Sequence, residues 1–379
     1  MKFRMRVARH RVTKLILHPG ITLTCLLILF ALVLFGTLYQ TENGLYEAQK
    51  KFFGYGIVLV GGWFPLPAAS LVLWVLSVQL TITLFFILPL HLKKIGLWIS
   101  HSGVLALLIG GFITQMMSVE SQLTLGEGET GNYTTSYHDW ELAFWERNGD
   151  TNTVFALSDG MLVPGQRLEV IPYDLALTVQ AYFPNSAAFN EKVTGGKLPY
   201  VNPSGIASIE QKKPEKEVTQ NVPGMVFTLH EKGKPNKEVL LYGMEMQPLI
   251  LRNKGKTIFC QLRLKHYPLN IAIKLIDFKR DLHPGTDMAA NYESTVEVLE
   301  GQSSRPVRIY MNNPLRYEGY TFFQASFSQE RSGAERSTFA VVTNPGRLLP
   351  YISSLTVFGG LLIHFLVIFV GFIRKERLV

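Results

Sequence analysis

Residues 95 to 117, IGLWISHSGVLALLIGGFITQMM, form a long apolar run holding one ionisable side chain, His101. A bilayer crossing needs roughly 20 apolar residues, so this run is long enough to be one. An imidazole in hydrocarbon is costly, and ionisable groups placed there mark functional sites. Neutral imidazole ligates metals, haem iron among them, and titrates near neutral pH. It can also simply hold helices together by bonding a carbonyl or Ser100. The residues alone leave both readings open.

Three further runs meet the same length rule: Gly20 to Gln40, about Pro67 to Leu90, and Tyr351 to Ile373. The first exceeds the apolar core of a signal peptide, and no small-x-small cleavage site follows it, so a retained anchor is expected. The average of 47% hydrophobic and 17% charged residues conceals segregation, because most Asp, Glu and Lys lie between the third and fourth runs. The fold class expected is a polytopic α-helical membrane protein with four transmembrane helices. A large, mainly-β extracytoplasmic domain lies between helices three and four.

Lys and Arg in short flanks set the orientation. Residues 1–19 carry six basic side chains and no acidic one, Lys93 and Lys94 sit between the second and third runs, and Arg374, Lys375 and Arg377 follow the fourth. Four crossings put all three clusters on one side, the cytoplasmic one. They also account for much of the net charge of +8, so a nucleic-acid partner is not needed to explain it. The expected plan is a basic tail at 1–19, three helices within 20–117 with an interfacial segment at 41–65, a β-rich domain at 118–350, a fourth helix at 351–373 and a tail at 374–379. Segment 41–65 mixes Lys50 and Lys51 with Phe52, Phe53, Tyr55 and Trp63, as an interfacial helix does.

Period-two alternation marks strands at Leu175–Phe183, Ser294–Glu300, Pro306–Asn313, Tyr320–Phe327 and Ser337–Thr343, separated by turn-rich pieces such as GEGETGN and EKGKPN. No βαβ alternation occurs, which points to an antiparallel sandwich or barrel. Asn185 to Val222, rich in Pro, Lys and Glu, is expected to be a long loop or insertion. Cys25 falls in the first apolar run and Cys260 stands alone in the outer domain, which excludes a CxxC redox motif and an internal disulfide.

His364, in the fourth run, is a second and weaker intramembrane candidate. His138, His230, His266 and His283 show no metal-ligand spacing. Asp277, Lys279, Arg280 and Asp281 form a solvated charge cluster. P-loop, HExxH and GxSxG are all lacking, so no catalytic residue is assigned.

Local text resembles one family. SHSGVLALLIGGFITQMMSVESQLTLGEGE (Ser100 to Glu129), DFKRDLHPGTDMAANYESTVEVLEG, RIYMNNPLRYEGYTFFQASF and VTNPGRLLPYISS are similar to segments of the ResB (also called CcsB) proteins of system II cytochrome c maturation. Their layout of three spans, an outer domain and a last span is similar too. Residues about 140 to 250 carry no such likeness.

The resemblance implies a membrane subunit that works with a ResC/CcsA-type polytopic partner. Together the two carry haem b across the bacterial cytoplasmic membrane and present it for attachment to apocytochrome c. It implies that His101 is a haem axial ligand completed by a histidine of the partner; His364 is no part of the pattern. It also implies a subunit of a holocytochrome c synthase without a complete active site of its own, since no Trp-Trp-Asp-type motif occurs here. Gly96, Gly103, Gly110 and Gly111 would admit either a neighbouring helix or a flat porphyrin. Two other functions compete: a membrane-anchored scaffold or chaperone for a periplasmic client, and an exporter permease. The exporter type places its domain between spans one and two instead.

Overall fold

The computed structural model describes residues 16–148, 151–190, 200–286, 289–301, 303–329 and 333–376. The basic residues before Ile16, and Arg377, lie outside them. Chain contacts divide the molecule into two units, 1–119 with 343–379, and 120–342.

The first unit is helical. Helix α1 (Pro19–Asn43) opens with proline at its first position, and the ring Nδ1 of His18 accepts from the Gly20 N–H at 3.1 Å. Short α2 (Leu45–Phe53) and the hairpin β1 (Ile57–Val60) and β2 (Phe64–Pro67) follow. Segment 41–65 is thus a helix end, an amphipathic helix and most of a hairpin, rather than one interfacial helix. Phe52 and Val58 are buried with Cys25, Leu32 and Val72.

Helix α3 (Ala69–Ile82) runs into a π-helical turn, Thr83–Ile87, closed by the Leu88 N–H donating to the Thr83 carbonyl at 2.8 Å. Helix α4 covers Ile95–Met117 and α5 covers Leu349–Glu376. Counting the π turn, four helices among the described residues are long and apolar enough to cross a membrane. Their outward faces carry large apolar side chains, Leu355 and Phe358 among them, as a lipid-facing surface requires. Gln79 links α3 to the start of α1: it accepts from Thr22 and donates to the Ile16 carbonyl, each at 2.9 Å.

The second unit is built from antiparallel strands around two hydrophobic cores. Strands β4 (Thr130–Asn148) and β13 (Lys256–Leu282) form its spine, paired from Phe259↔Trp145 to Lys274↔Thr130 with register shifts between Leu264 and His266 and between Pro268 and Ile273. At one end β5 (Thr151–Ser158) and β12 (Leu249–Asn253) flank this pair. A separate sheet in the order β11-β10-β7-β6 (Lys237–Tyr242, Gly224–Glu231, Leu175–Phe183, Arg167–Val170) shares its core, where Phe144, Leu177, Phe227, Ile258 and Cys260 are buried.

At the other end the spine is joined by β14 (Ala289–Glu300) and β15 (Ser303–Tyr310) on one side. On the other side come β3 (Val119–Gly126), β18 (Glu335–Thr343), β17 (Tyr320–Gln329) and β16 (Leu315–Tyr317). Ile309 of β15 and Phe322 of β17, from opposite ends of this strand order, are both fully buried in the second core, so the sheet wraps back on itself. Burying each such side chain contributes about 1.5–3 kcal/mol.

Two expectations need correction. Within 185–222, β8 (Ser186–Asn190) pairs with β9 (Ile206–Gln211), so the segment holds a hairpin. Its polar composition hides this, because buried Asn185 supports the hairpin by donating from Nδ2 to the Lys213 carbonyl at 2.7 Å. The strand expected at Pro306–Asn313 ends at Tyr310, where Asn312, with φ 62°, turns the chain out of line.

Candidate functional site

Glycine decides how α4 meets α5. A Cβ on Gly96 would lie 2.5 Å from the Gly360 carbonyl oxygen and would also collide with the backbone of His364. One on Gly103 would lie 2.8 Å from the Val357 nitrogen, and one on Gly110 2.8 Å from the Leu349 Cβ. The order of partners runs backward along α5, so the helices are antiparallel. The seven-residue glycine spacing brings the same stripe to the interface every two turns. These three glycines therefore serve helix packing, and a porphyrin platform on them is excluded. At Gly111 a Cβ would meet nothing within 4 Å.

His101 follows Gly96 by five residues, about 140° around the helix, and so lies away from the stripe that meets α5. Its Nδ1 is 2.7 Å from the Leu97 carbonyl oxygen, one turn back. A carbonyl only accepts, so Nδ1 is the donor here, and in a neutral imidazole Nε2 then keeps its lone pair. This is the arrangement by which a metal-ligating histidine is oriented, the second nitrogen being tied to a backbone carbonyl.

Trp98 shares this side of α4. Its Nε1 is buried without a hydrogen-bond partner among the described residues, and its ring meets Phe85 of the π turn edge-on at 6.0 Å. A buried N–H left unmatched costs about 1–3 kcal/mol, and π-helical turns cluster at functional sites. One turn beyond His101 a cleft of about 470 Å³ begins, lined by Trp74, Val78 and Ile82 of α3 and by Leu105, Ile109 and Phe112 of α4. Imidazole, indole N–H and an apolar slot thus occur along one side of one helix.

His364 is placed differently. Its backbone abuts Gly96, on the stripe of α5 that meets α4, and its Nδ1 is buried without a partner among the described residues. Gly96 precedes His101 by five residues, so the two histidines differ in depth by about 7 Å and sit on different faces of the helix pair. Three turns back along α5, Ser353 is buried with its Oγ also unmatched among the described residues.

The outer-unit histidines behave as ordinary residues. His230 is held by Thr178 and Asn236, each at 2.9 Å. His266 stacks on Tyr133 at 4.3 Å, and burial first, then the Arg263 guanidinium, lower its pKa to about 4. Among the described residues no group of three or more His, Cys, Asp or Glu is placed to hold a metal ion. Asp277 and Lys279 pair at 2.9 Å in the exposed cluster. Both cysteines are free and buried, and burial raises the Cys260 thiol.

The sequence singles out His101 but gives no sign of Trp98 or the π turn. TLFFI contains neither proline nor glycine, and an indole N–H lacks a partner only once its neighbours are known.

Four long apolar helices and a two-cored antiparallel unit define a membrane-type protein with one large β-rich unit. Residues 239–346 match the model of the ResB-like family. Protein NrfI of Wolinella succinogenes is 29% identical over 119 residues, 29% of this chain, and the alignment spans 13% of that relative's length. The family match runs from β11 to the end of β18, so His101 lies outside it.

Proposed function

We propose that this chain is a membrane subunit of a system II cytochrome c maturation machinery, with haem b as its cargo. A ResC/CcsA-type polytopic protein is its partner, and apocytochrome c receives the haem. In this reading the four helices cross a bacterial cytoplasmic membrane, both termini are cytoplasmic and unit 120–342 faces the periplasm. The chain has no catalytic residue of its own and completes a holocytochrome c synthase only with its partner.

One observation carries the reading: His101 lies inside an apolar helix with Nδ1 held by the Leu97 carbonyl, which leaves Nε2 as the ring nitrogen available to a ligand. Nε2 would hold haem iron from one side, and a partner imidazole would hold it from the other. The apolar cleft next to it suits a flat hydrophobic ring better than a hydrated ion. Packing against α5 does not account for this histidine, since its side of α4 is turned away from that helix.

The test is His101→Ala in cells that assemble the complex. Holocytochrome c and co-purifying haem should both fall sharply, and added imidazole should partly restore both by ligating iron in the vacated space. A histidine that only packs gives less protein, normal haem per surviving complex and no imidazole rescue; that result overturns the proposal.

A further inference from the structure

The outer unit holds a second feature that the haem reading does not use. Between β16 and β17 the chain turns through Glu318 and Gly319, whose φ values of 46° and 85° are those of a two-residue hairpin turn. In such a hairpin Tyr317 and Tyr320 exchange both backbone hydrogen bonds, as do Leu315 and Phe322 two residues on. The next residue of β17 facing this side is Gln324, and its counterpart would be Asn313. Pairing stops first, at Leu315↔Phe322.

Its cause is local. Asn313 spends its N–H on the Tyr310 carbonyl at 2.9 Å, closing a tight loop back to β15 through left-handed Asn312. Among the described residues the N–H and C=O of Gln324 therefore have no ladder partner on this side, although β14 and β15 pack nearby in the same core. An unpaired strand edge is a template for another chain unless charge, proline or a cover blunts it. β15 carries Arg305, Pro306 and Arg308, whereas β17 continues as Gln-Ala-Ser, with Ala325 and Ser326 exposed.

The edge opens on a cleft of about 360 Å³ lined by Tyr310, Asn312, Asn313, Arg316, Phe323 and Gln324, with Met311 and Pro314. Its inner wall is fixed: Gln324 Oε1 accepts from Ser294 at 2.7 Å and its Nε2 donates to Ser337 at 3.0 Å, both serines being fully buried. Arg316 is exposed and pairs with no carboxylate among the described residues, unlike Arg308, which binds Glu293.

We infer that this edge of β17 is a strand-addition site for an extended segment of a partner polypeptide, with an acidic side chain placed over Arg316. Backbone bonds at Gln324 would supply binding, and the cleft with Arg316 would supply selection. The inference concerns the outer unit alone and stands or falls apart from the haem reading.

The probe is fluorescein-Thr-Val-Glu-Val-Thr-amide, titrated into the full chain in detergent and read by fluorescence anisotropy. Saturable binding is expected, lost when the peptide is N-methylated along one edge and kept when it is methylated along the other. Arg316→Glu should weaken binding at least about tenfold and favour the same peptide with Lys in place of Glu. No saturable binding, equal binding of both methylated peptides, or indifference to Arg316→Glu would each overturn the inference. Self-association of the chain that vanishes in Arg316→Glu would overturn it too, by assigning the edge to a second copy.

Discussion

The backbone nitrogen of Val357 occupies the space that a side chain on Gly103 would need, 2.8 Å from the position of its Cβ. Helices α4 and α5 therefore meet backbone to backbone, and van der Waals contact of this closeness is what associates helices in lipid, where apolar burial drives little.

Gly103→Leu should force the pair apart and cost about 1–3 kcal/mol, as overpacking of a tight contact does. Gly111→Leu, on the open side of the same helix, should be near neutral. Thermal unfolding in detergent checks both, and equal effects would contradict the packing.

His364 differs from His101 in having a buried, unmatched Nδ1. Replacing an unsatisfied buried polar group with an apolar one of similar size is near neutral or stabilising. His364→Leu should leave protein level and haem content unchanged. A maturation defect at normal protein level would assign this imidazole a ligand of its own.

His266 makes the outer unit sensitive to acid. Its folded pKa, about 4, lies below the ordinary histidine value, so the unfolded chain binds the extra proton first. Stability from this group is complete above about pH 6.5 and is lost as pH falls toward 4, by about 3 kcal/mol at most. Hydrogen exchange of peptides covering 133–137 and 263–270 should quicken across that window, and His266→Gln should flatten the response.

Glu245 has the opposite sign. It is buried, accepts from the Tyr242 N–H at 3.0 Å, and burial raises its carboxyl above the ordinary range. The folded state holds its proton longer than the unfolded chain, so stability falls as pH rises from the ordinary carboxylate value through the raised one. Glu245→Gln keeps the acceptor and removes the charge. It should slow exchange in segment 240–262 at pH 7 and change little at pH 4.

Orientation is testable by fusion. Alkaline phosphatase joined after Thr130 should be active and joined after Lys94 inactive; activity at Lys94 would remove the four-crossing arrangement.

The apolar runs were legible because their signal is one of length: 95–117 in the sequence is α4 in the structure, and the first and last runs differ from their helices by a few residues at the ends. Alternation likewise marked β7 at both ends, since one face of that strand is core. The hairpin at 186–211 was not legible, because its support comes from Asn185 and from neighbours distant in sequence. Local composition fixed helix, strand and the presence of one imidazole in an apolar run. Which glycines touch α5, which nitrogen of His101 stays open, and where β17 lacks a neighbour depend on contacts between residues far apart in the chain. Those contacts follow from packing and hydrogen-bond matching across elements, and only the tertiary structure decided them.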